Sequence, residues 1–285
     1  MPVDREKLEA QLERVVGDLP ATCGGAMVSL GDTLGLYGAM AGAGPLTPAE
    51  VAARAGCAER YVREWLNAQA AGGYVEHHPV GATCELTPEQ EAVPADPDSP
   101  VFVAPAWDVP ASFFIDEESM VTAFRTGDGV AWGDHHPRMH HGVARFYRNV
   151  HRASPVDEWI PALDGVADAL AAGARGADVG CGHGHSAVTL AEAFPAASLA
   201  PGGTIMLVEP YAGDRGEDNL TTVGRLYHAA STVLCTAHAL SEHGPHALGA
   251  RAGEARIAEV CRRAGLTHVR RAAETPFNLI LEVGP

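Results

Sequence analysis

Residues 176–186 read GADVGCGHGHS, and the helix-like AVTLAEAFP follows at once. A short apolar lead ends in Asp178, after which Gly180, Gly182 and Gly184 alternate strictly, a pattern that lets a strand turn tightly into a helix. Glycine serves there because it tolerates positive φ and leaves room for a ligand against the backbone. A dinucleotide fold asks for G-x-G-x-x-G, whose third glycine would fall at residue 185, but that residue is His185. The spacing D-x-G-x-G-x-G therefore points away from NAD.

The 285 residues make one large or two ordinary domains, and the 46% hydrophobic and 20% charged content is that of a soluble globular protein. A net charge of −16 repels phosphate backbones and anionic lipid, so neither nucleic acid nor a membrane surface is an expected partner. A cationic or neutral small substrate remains compatible. The cysteines (Cys23, Cys57, Cys84, Cys181, Cys235 and Cys261) are scattered without a C-x-x-C pair, which suits a reducing cytoplasm. The opening residues show no basic-then-apolar leader, and the apolar stretch 21–43 is broken by Asp32 and six glycines, so no signal peptide or membrane span is expected.

Asp4 is placed to cap a first helix with Leu8, Leu12, Val15 and Val16 on one face, and Pro20 is expected to end it. Residues 22–40 are rich in small side chains and carry Met27, Val28, Leu30, Leu34, Leu36 and Tyr37, suited to close helix contacts within the chain or with a partner subunit. A sharper pattern follows. Thr47 with Glu50 forms a capping box, Pro48 suits the first turn and Gly56 turns the chain. Residues 58–70 then give a second helix with Tyr61, Val62, Trp65 and Leu66 as its buried stripe. Gly72 and Gly73 end it, and the strand-like YVEHH and TCELT bracket a turn at 79–82. This is a winged helix-turn-helix.

Its charge argues against reading DNA. Residues 45–90 hold three arginines (Arg54, Arg60, Arg63) against six glutamates, whereas a groove-reading module needs a basic face. An architectural role fits better. The run EAVPADPDSP, rich in proline and acid, reads as a linker or exposed loop. Beyond it a helical layer carries Trp107, Phe113, Phe114, Phe124, Trp132, Phe146, Tyr147 and Trp159, enough aromatic surface to wall a pocket or fill a core. Within it DHHPRMHH gathers His135, His136, His140 and His141. Polar surface or pocket-lining residues are the favoured reading. A metal site would need convergent ligands that adjacent residues rarely supply, and no metal is expected. A general base is the third reading, because imidazole removes a hydroxyl proton near neutral pH.

The glycine loop is similar to motif I of the class I S-adenosylmethionine (SAM) methyltransferases. The blocks DGVADALAAGARGADVGCGHGHSAVTLAEAFP, LAPGGTIMLVEPYAGDRGEDNL, GRLYHAASTVLCT, LGARAGEARIAEVCRRAGL and AETPFNLILEVGP together resemble a family of actinobacterial-type members that carry an N-terminal winged helix. The resemblance runs from the winged helix to Pro285. It implies SAM as cofactor, a small-molecule acceptor and a homodimer built through the N-terminal domain, which also roofs the substrate pocket. Gly180, Gly182 and Gly184 would border the methionine moiety, with Asp178 orienting its ammonium. Glu209 and Tyr211 would face the same pocket, and Trp132, Tyr147 and one of the histidines would face the acceptor.

One departure stands out. Between Pro195, where the helix after motif I should end, and Leu199, where the approach to strand five begins, only Ala196, Ala197 and Ser198 remain. Family members place further strands here, with the acid that holds the ribose hydroxyls. After Gly184 the first acids are Glu192 and Glu209. Either TIMLVEP acts as the second strand and Glu209 grips the ribose, or the chain carries an internal deletion near 195–199 that keeps strands resembling one, five, six and seven. The likeness of LAPGG to the strand-five approach favours the deletion, with a crossover from Asp178 through the 187–194 helix to Ile205. The expected architecture is mixed α and α/β: a winged helix-turn-helix over 1–95, a helical middle layer over 96–165, and a truncated Rossmann-like methyltransferase sheet over 166–285. The expected function is in-line methyl transfer to a small molecule. Its alternatives are a dimeric scaffold without catalysis and, more remotely, a DNA-binding regulator.

Overall fold

The computed structural model describes residues 3–174, 176–179, 184–194, 204–243, 247–249 and 252–284. The chain forms two compact units, one of Met1–Ala111 with Arg138–Asn149 and one of Ser112–Pro137 with Val150–Pro285.

The first unit opens with α1 (Arg5–Thr33), capped by Asp4, whose side chain accepts from the Glu6 and Lys7 N–H groups. Contrary to expectation, α1 runs straight through Pro20. An interior proline removes one helical hydrogen bond and costs about 3 kcal/mol, so something outside the local sequence must hold the helix. Tertiary contacts of its second half do so. Gly25 lies against the Trp107 ring, and a Cβ at Gly31 would come within 2.5 Å of Trp65 and 2.7 Å of Tyr37. Trp65 Nε1 donates to the Met27 carbonyl at 2.8 Å, and Arg145 clamps Asp32 with two bonds of 2.6 and 2.9 Å. In the first half, Leu8, Leu12, Val15, Val16 and Leu19 are all exposed.

Helix α2 (Leu36–Met40) drops Leu36, Tyr37 and Met40 into the core beside Val28, and α3 (Pro48–Ala55) begins with the expected Thr47–Glu50 capping box and ends at Gly56, φ 65°. Helix α4 (Glu59–Ala71) buries Val62, Trp65, Leu66 and Gln69, an i, i+3, i+4, i+7 stripe. Tyr61, assigned to that stripe from sequence, is 81% exposed. Adjacent residues sit roughly 100° apart on a helix, so Val62 takes the core and Tyr61 turns away. Strands β1 (Glu76–His78) and β2 (Thr83–Glu85) form the antiparallel wing, and Leu46 bridges to Cys84 as a third short rung. A second capping box, Thr87 with Gln90, opens α5 (Pro88–Ala92) at the edge of the proline-rich run. That run is tied down rather than loose, since Asn149 Nδ2 donates to the carbonyls of Pro97 (2.8 Å) and Ser99 (2.7 Å).

The middle of the chain is helical as expected, in α6 (Asp108–Ile115), α7 (Glu117–Thr126), α8 (Pro137–Ser154) and α9 (Val166–Ala171). Residues 112–126 belong to the second unit, while most of α8 belongs to the first. The second unit continues with α10 (His185–Ala193), β3 (Ile205–Pro210), α11 (Thr222–Ala230), α12 (Thr236–Ser241), α13 (Glu254–Arg263), β4 (His268–Glu274) and β5 (Asn278–Gly284). The sheet order is β3-β5-β4 and both pairings are antiparallel. Ile257 and Cys261 of α13 pack with Leu279, Leu281 and Val283 of β5.

The strand expected to end at Asp178 is not formed among the described residues 176–179. Those four residues are exposed, with Val179 at 94%, and β3 pairs with β5 rather than with them. A parallel strand is stable when both faces are covered and a neighbour takes its hydrogen bonds, and a Gly-Ala-Asp-Val segment offers too little apolar surface to hold that place alone. The crossover to Ile205 is therefore absent among the described residues, although its helix, α10, is present.

On the central strand, Glu282 stands directly opposite Arg270 of β4 and pairs with it, and Arg270 also reaches Asp164 Oδ1 at 3.0 Å and the Ala162 carbonyl at 3.1 Å. Glu282 is buried, and removing it takes one charged partner from Arg270, which is a third exposed and keeps Asp164 and the Ala162 carbonyl. Glu282→Ala is expected to destabilise the protein by about 2 kcal/mol in urea unfolding. Arg271→Ala, which breaks the exposed pairs with Glu254 and Glu274, should cost less than about 1 kcal/mol.

Candidate functional site

The sequence candidates of the second unit fall into three groups. The first lies where α7 begins. Asp116 immediately precedes that helix and His135 lies 19 residues on, yet the His135 Nδ1 is 3.0 Å from Asp116 Oδ2 and the imidazole is fully buried. The His136 N–H donates to both oxygens of the same carboxylate, at 3.2 and 3.3 Å. Trp132, in a short 3₁₀ turn, sets its ring edge-on to His135 with centroids 6.4 Å apart and to His238 of α12 at 6.1 Å, and its N–H donates to His238 Nδ1 at 3.2 Å. Val130, just before, is held by a bond from its N–H to the Ala237 carbonyl at 3.0 Å. Asp116 and His238 carry no sequence signal, since nothing in their neighbours marks them.

The second group surrounds the described part of the glycine loop. Gly180 and Gly182 lie outside the described residues. Gly184 caps α10 in the left-handed region at φ 77°, which a side chain would strain. Ser186 Oγ and His151 Nδ1 share a hydrogen bond of 3.1 Å. Burial holds the His151 imidazole below its ordinary pKa, with the Asp178 carboxylate drawing it up and His185 pushing it down. Asp178 itself is exposed and lines a groove of ≈ 150 Å³ with Leu170, Gly176, Ala177, Ala187, Leu190, Ala191 and Phe194.

The third group sits at the end of β3. Glu209 is partly buried and its carboxylate makes no hydrogen bond or ion pair among the described residues. Burial alone raises its pKa above the usual carboxylate value. The Cys235 thiol is raised too, first by burial and then by the Glu209 charge, which places the two near one another. Tyr211 follows the strand, anchored by its N–H to the Phe277 carbonyl at 2.8 Å. His140, His141 and Tyr147 belong to the first unit, where Tyr147 stacks edge-on against Phe146 at 5.0 Å. The four histidines thus divide between the two units. No group of three or more His, Cys, Asp or Glu side chains that could hold a metal is found among the described residues, nor is any described helix long and apolar enough to cross a membrane.

On the winged helix, Arg60 pairs with Glu64 at 2.5 Å and Arg63 with Glu59, each within one turn of α4. Both arginines that a DNA reader would present are spent inside their own helix.

Residues 22–94 match the family model of the Rv2258c-like winged HTH domain. No curated protein matches the sequence. Among solved structures, the mitomycin 7-O-methyltransferase MmcR aligns with 98% of this chain and 100% of its own at a TM-score of 0.68 and 14% identity. Human N-acetylserotonin methyltransferase, in complex with SAM, covers 100% of this chain and 99% of its own at 0.67 and 12%. CalO1, a methyltransferase of calicheamicin biosynthesis in its SAH-bound form, covers 100% of both chains at 0.58 and 14%. This chain therefore has the fold of the small-molecule SAM-dependent methyltransferases, with an N-terminal winged helix of the Rv2258c-like type.

Proposed function

We propose that this chain is a SAM-dependent methyltransferase acting on a small-molecule acceptor. The observation that carries the reading is the end-to-end likeness to MmcR at a TM-score of 0.68, and the side chains of the second unit support it. SAM contributes a methyl group on a positively charged sulfur, and the donors present here suit its methionine half. Asp178 offers an exposed carboxylate for the ammonium. The first turn of α10, opened by Gly184, turns its N–H groups toward the helix start, where a carboxylate is favoured. Glu209 offers a carboxylate with no partner among the described residues, suited to two ribose hydroxyls. Gly180 and Gly182 would complete the loop, while Trp132 and Tyr211 of the second unit would line the acceptor side. One of His135, His136, His140 and His141 would take the acceptor's proton. The protein's part in such a reaction is alignment and exclusion of water.

The same reading takes the chain as a homodimer joined through residues 1–95. Leu8, Leu12, Val15 and Leu19 are exposed and spaced four, three and four residues apart, the stripe of a helix that pairs with another. The five described cysteines are free, which suits a reducing cytoplasm. A second reading, a scaffold that no longer binds SAM, draws on the three-stranded sheet and the unformed strand at 176–179.

Titration calorimetry with S-adenosylhomocysteine separates the two: saturable micromolar binding is expected, and a folded protein that gives no heat would leave the scaffold. Glu209→Gln provides the residue-level check. Burial raises the folded-state pKa of Glu209, so its ionised form destabilises the fold above the ordinary glutamate pKa and the cost disappears below it. The variant should therefore gain unfolding midpoint at about pH 7.5, gain nothing at about pH 4, and bind S-adenosylhomocysteine at least about tenfold more weakly. For the dimer, sedimentation velocity should show two copies in the native chain and one in Leu12→Glu. A native chain that sediments as a monomer at micromolar concentration would exclude the seam.

A further inference from the structure

We propose that His151 is a positioning residue of the cofactor site and that its proton works as a switch: the neutral ring leaves the start of α10 and Asp178 to the cofactor, and the protonated ring opposes both. The inference rests on the methyl-transfer reading and deepens it with a residue outside the glycine loop and a response to pH. Its basis is one hydrogen bond and the groups around it, all within the second unit.

His151 lies in the last turn of α8, and its Nδ1 is 3.1 Å from the Oγ of Ser186, the second residue of α10. Trp159, buried in the turn that follows α8, stands edge-on to the imidazole with centroids 6.0 Å apart and holds the ring from another side. The charged and titratable groups that face the ring are Asp178, just before the glycine loop, and His185, the first residue of α10. Burial favours the neutral ring, Asp178 favours the charged one, and His185 works in the same direction as burial.

A neutral imidazole can meet the Ser186 hydroxyl as donor or acceptor and brings no charge to the helix start. Protonation changes three things. Both ring nitrogens then carry hydrogen, so Ser186 Oγ can only accept from the ring and its own hydrogen must turn elsewhere. A positive charge comes to lie against the N-terminal end of α10, which is already positive. The imidazolium is also drawn to the Asp178 carboxylate, the group assigned to the cofactor's ammonium. That charge attracts the cofactor's carboxylate as well, but the carboxylate has the N–H groups of α10, whereas Asp178 is the one anion assigned to the ammonium. The competition for Asp178 therefore sets the sign, and acid weakens cofactor binding.

Titration calorimetry of the full chain with S-adenosylhomocysteine tests the switch. The affinity is expected to hold between about pH 7.5 and about 6.5 and to be at least about fivefold weaker at about pH 5. By reciprocity, binding at about pH 6 should release protons, read as a heat that varies with the ionisation enthalpy of the buffer. His151→Gln, which can still hydrogen-bond but cannot take the proton, should show neither effect. A native affinity that is flat across this range, a His151→Gln variant with the same loss in acid, or native binding without proton release overturns the proposal, the last even if the variant does not fold. A chain that binds S-adenosylhomocysteine at no pH sinks the methyl-transfer reading itself, whereas binding that ignores pH sinks the switch alone.

Discussion

The second unit depends on the pairing of one strand. All seven residues of Asn278–Gly284 are buried, and this strand takes hydrogen bonds from β3 on one side and β4 on the other. Apolar β-branched and leucine side chains fill its faces, and its single acid, Glu282, is accommodated only because Arg270 stands opposite. A buried strand without both neighbours would leave a row of unpaired backbone groups, so the positions of Ile205–Pro210 and His268–Glu274 follow from it. Glu209 and Tyr211 in turn owe their places to β3, and Tyr227 OH reinforces that end by donating to the Phe277 carbonyl at 2.8 Å.

Electrostatics narrows what the two units can meet. A charge of −16 disfavours polyanions at long range, and the pairing of Arg60 and Arg63 with glutamates of their own helix disfavours them at short range. Glu209, with no partner among the described residues, the exposed Asp178 and the Asp116–His135 pair are acidic groups of the second unit that lie among the site candidates.

The two buried carboxylates illustrate opposite solutions to the same cost. Glu282 is paired with a guanidinium and serves stability. Glu209 has no partner among the described residues, so its burial opposes ionisation and works against the fold. A protein keeps a group of the second kind where something else uses it, which is why the end of β3 belongs to the candidate site.

Much was legible in the chain itself, wherever the cause was local. The Thr47–Glu50 capping box, the left-handed Gly56 and Gly184 and the wing strands were readable because each depends on residues within one turn or one strand of itself. What lay beyond reach depended on partners far along the chain. Pro20 reads as a stop, yet α1 continues because Trp65, Trp107 and Arg145 hold its later turns. Residues 176–179 read as a strand, yet a strand exists only where a neighbour accepts its hydrogen bonds, and none does so here among the described residues. His135 is one of four equivalent histidines in the sequence. Only folding brings Asp116 to its Nδ1, strips the water from its Nε2 and so separates it from the rest, because hydrogen bonding and burial are properties of the assembled structure.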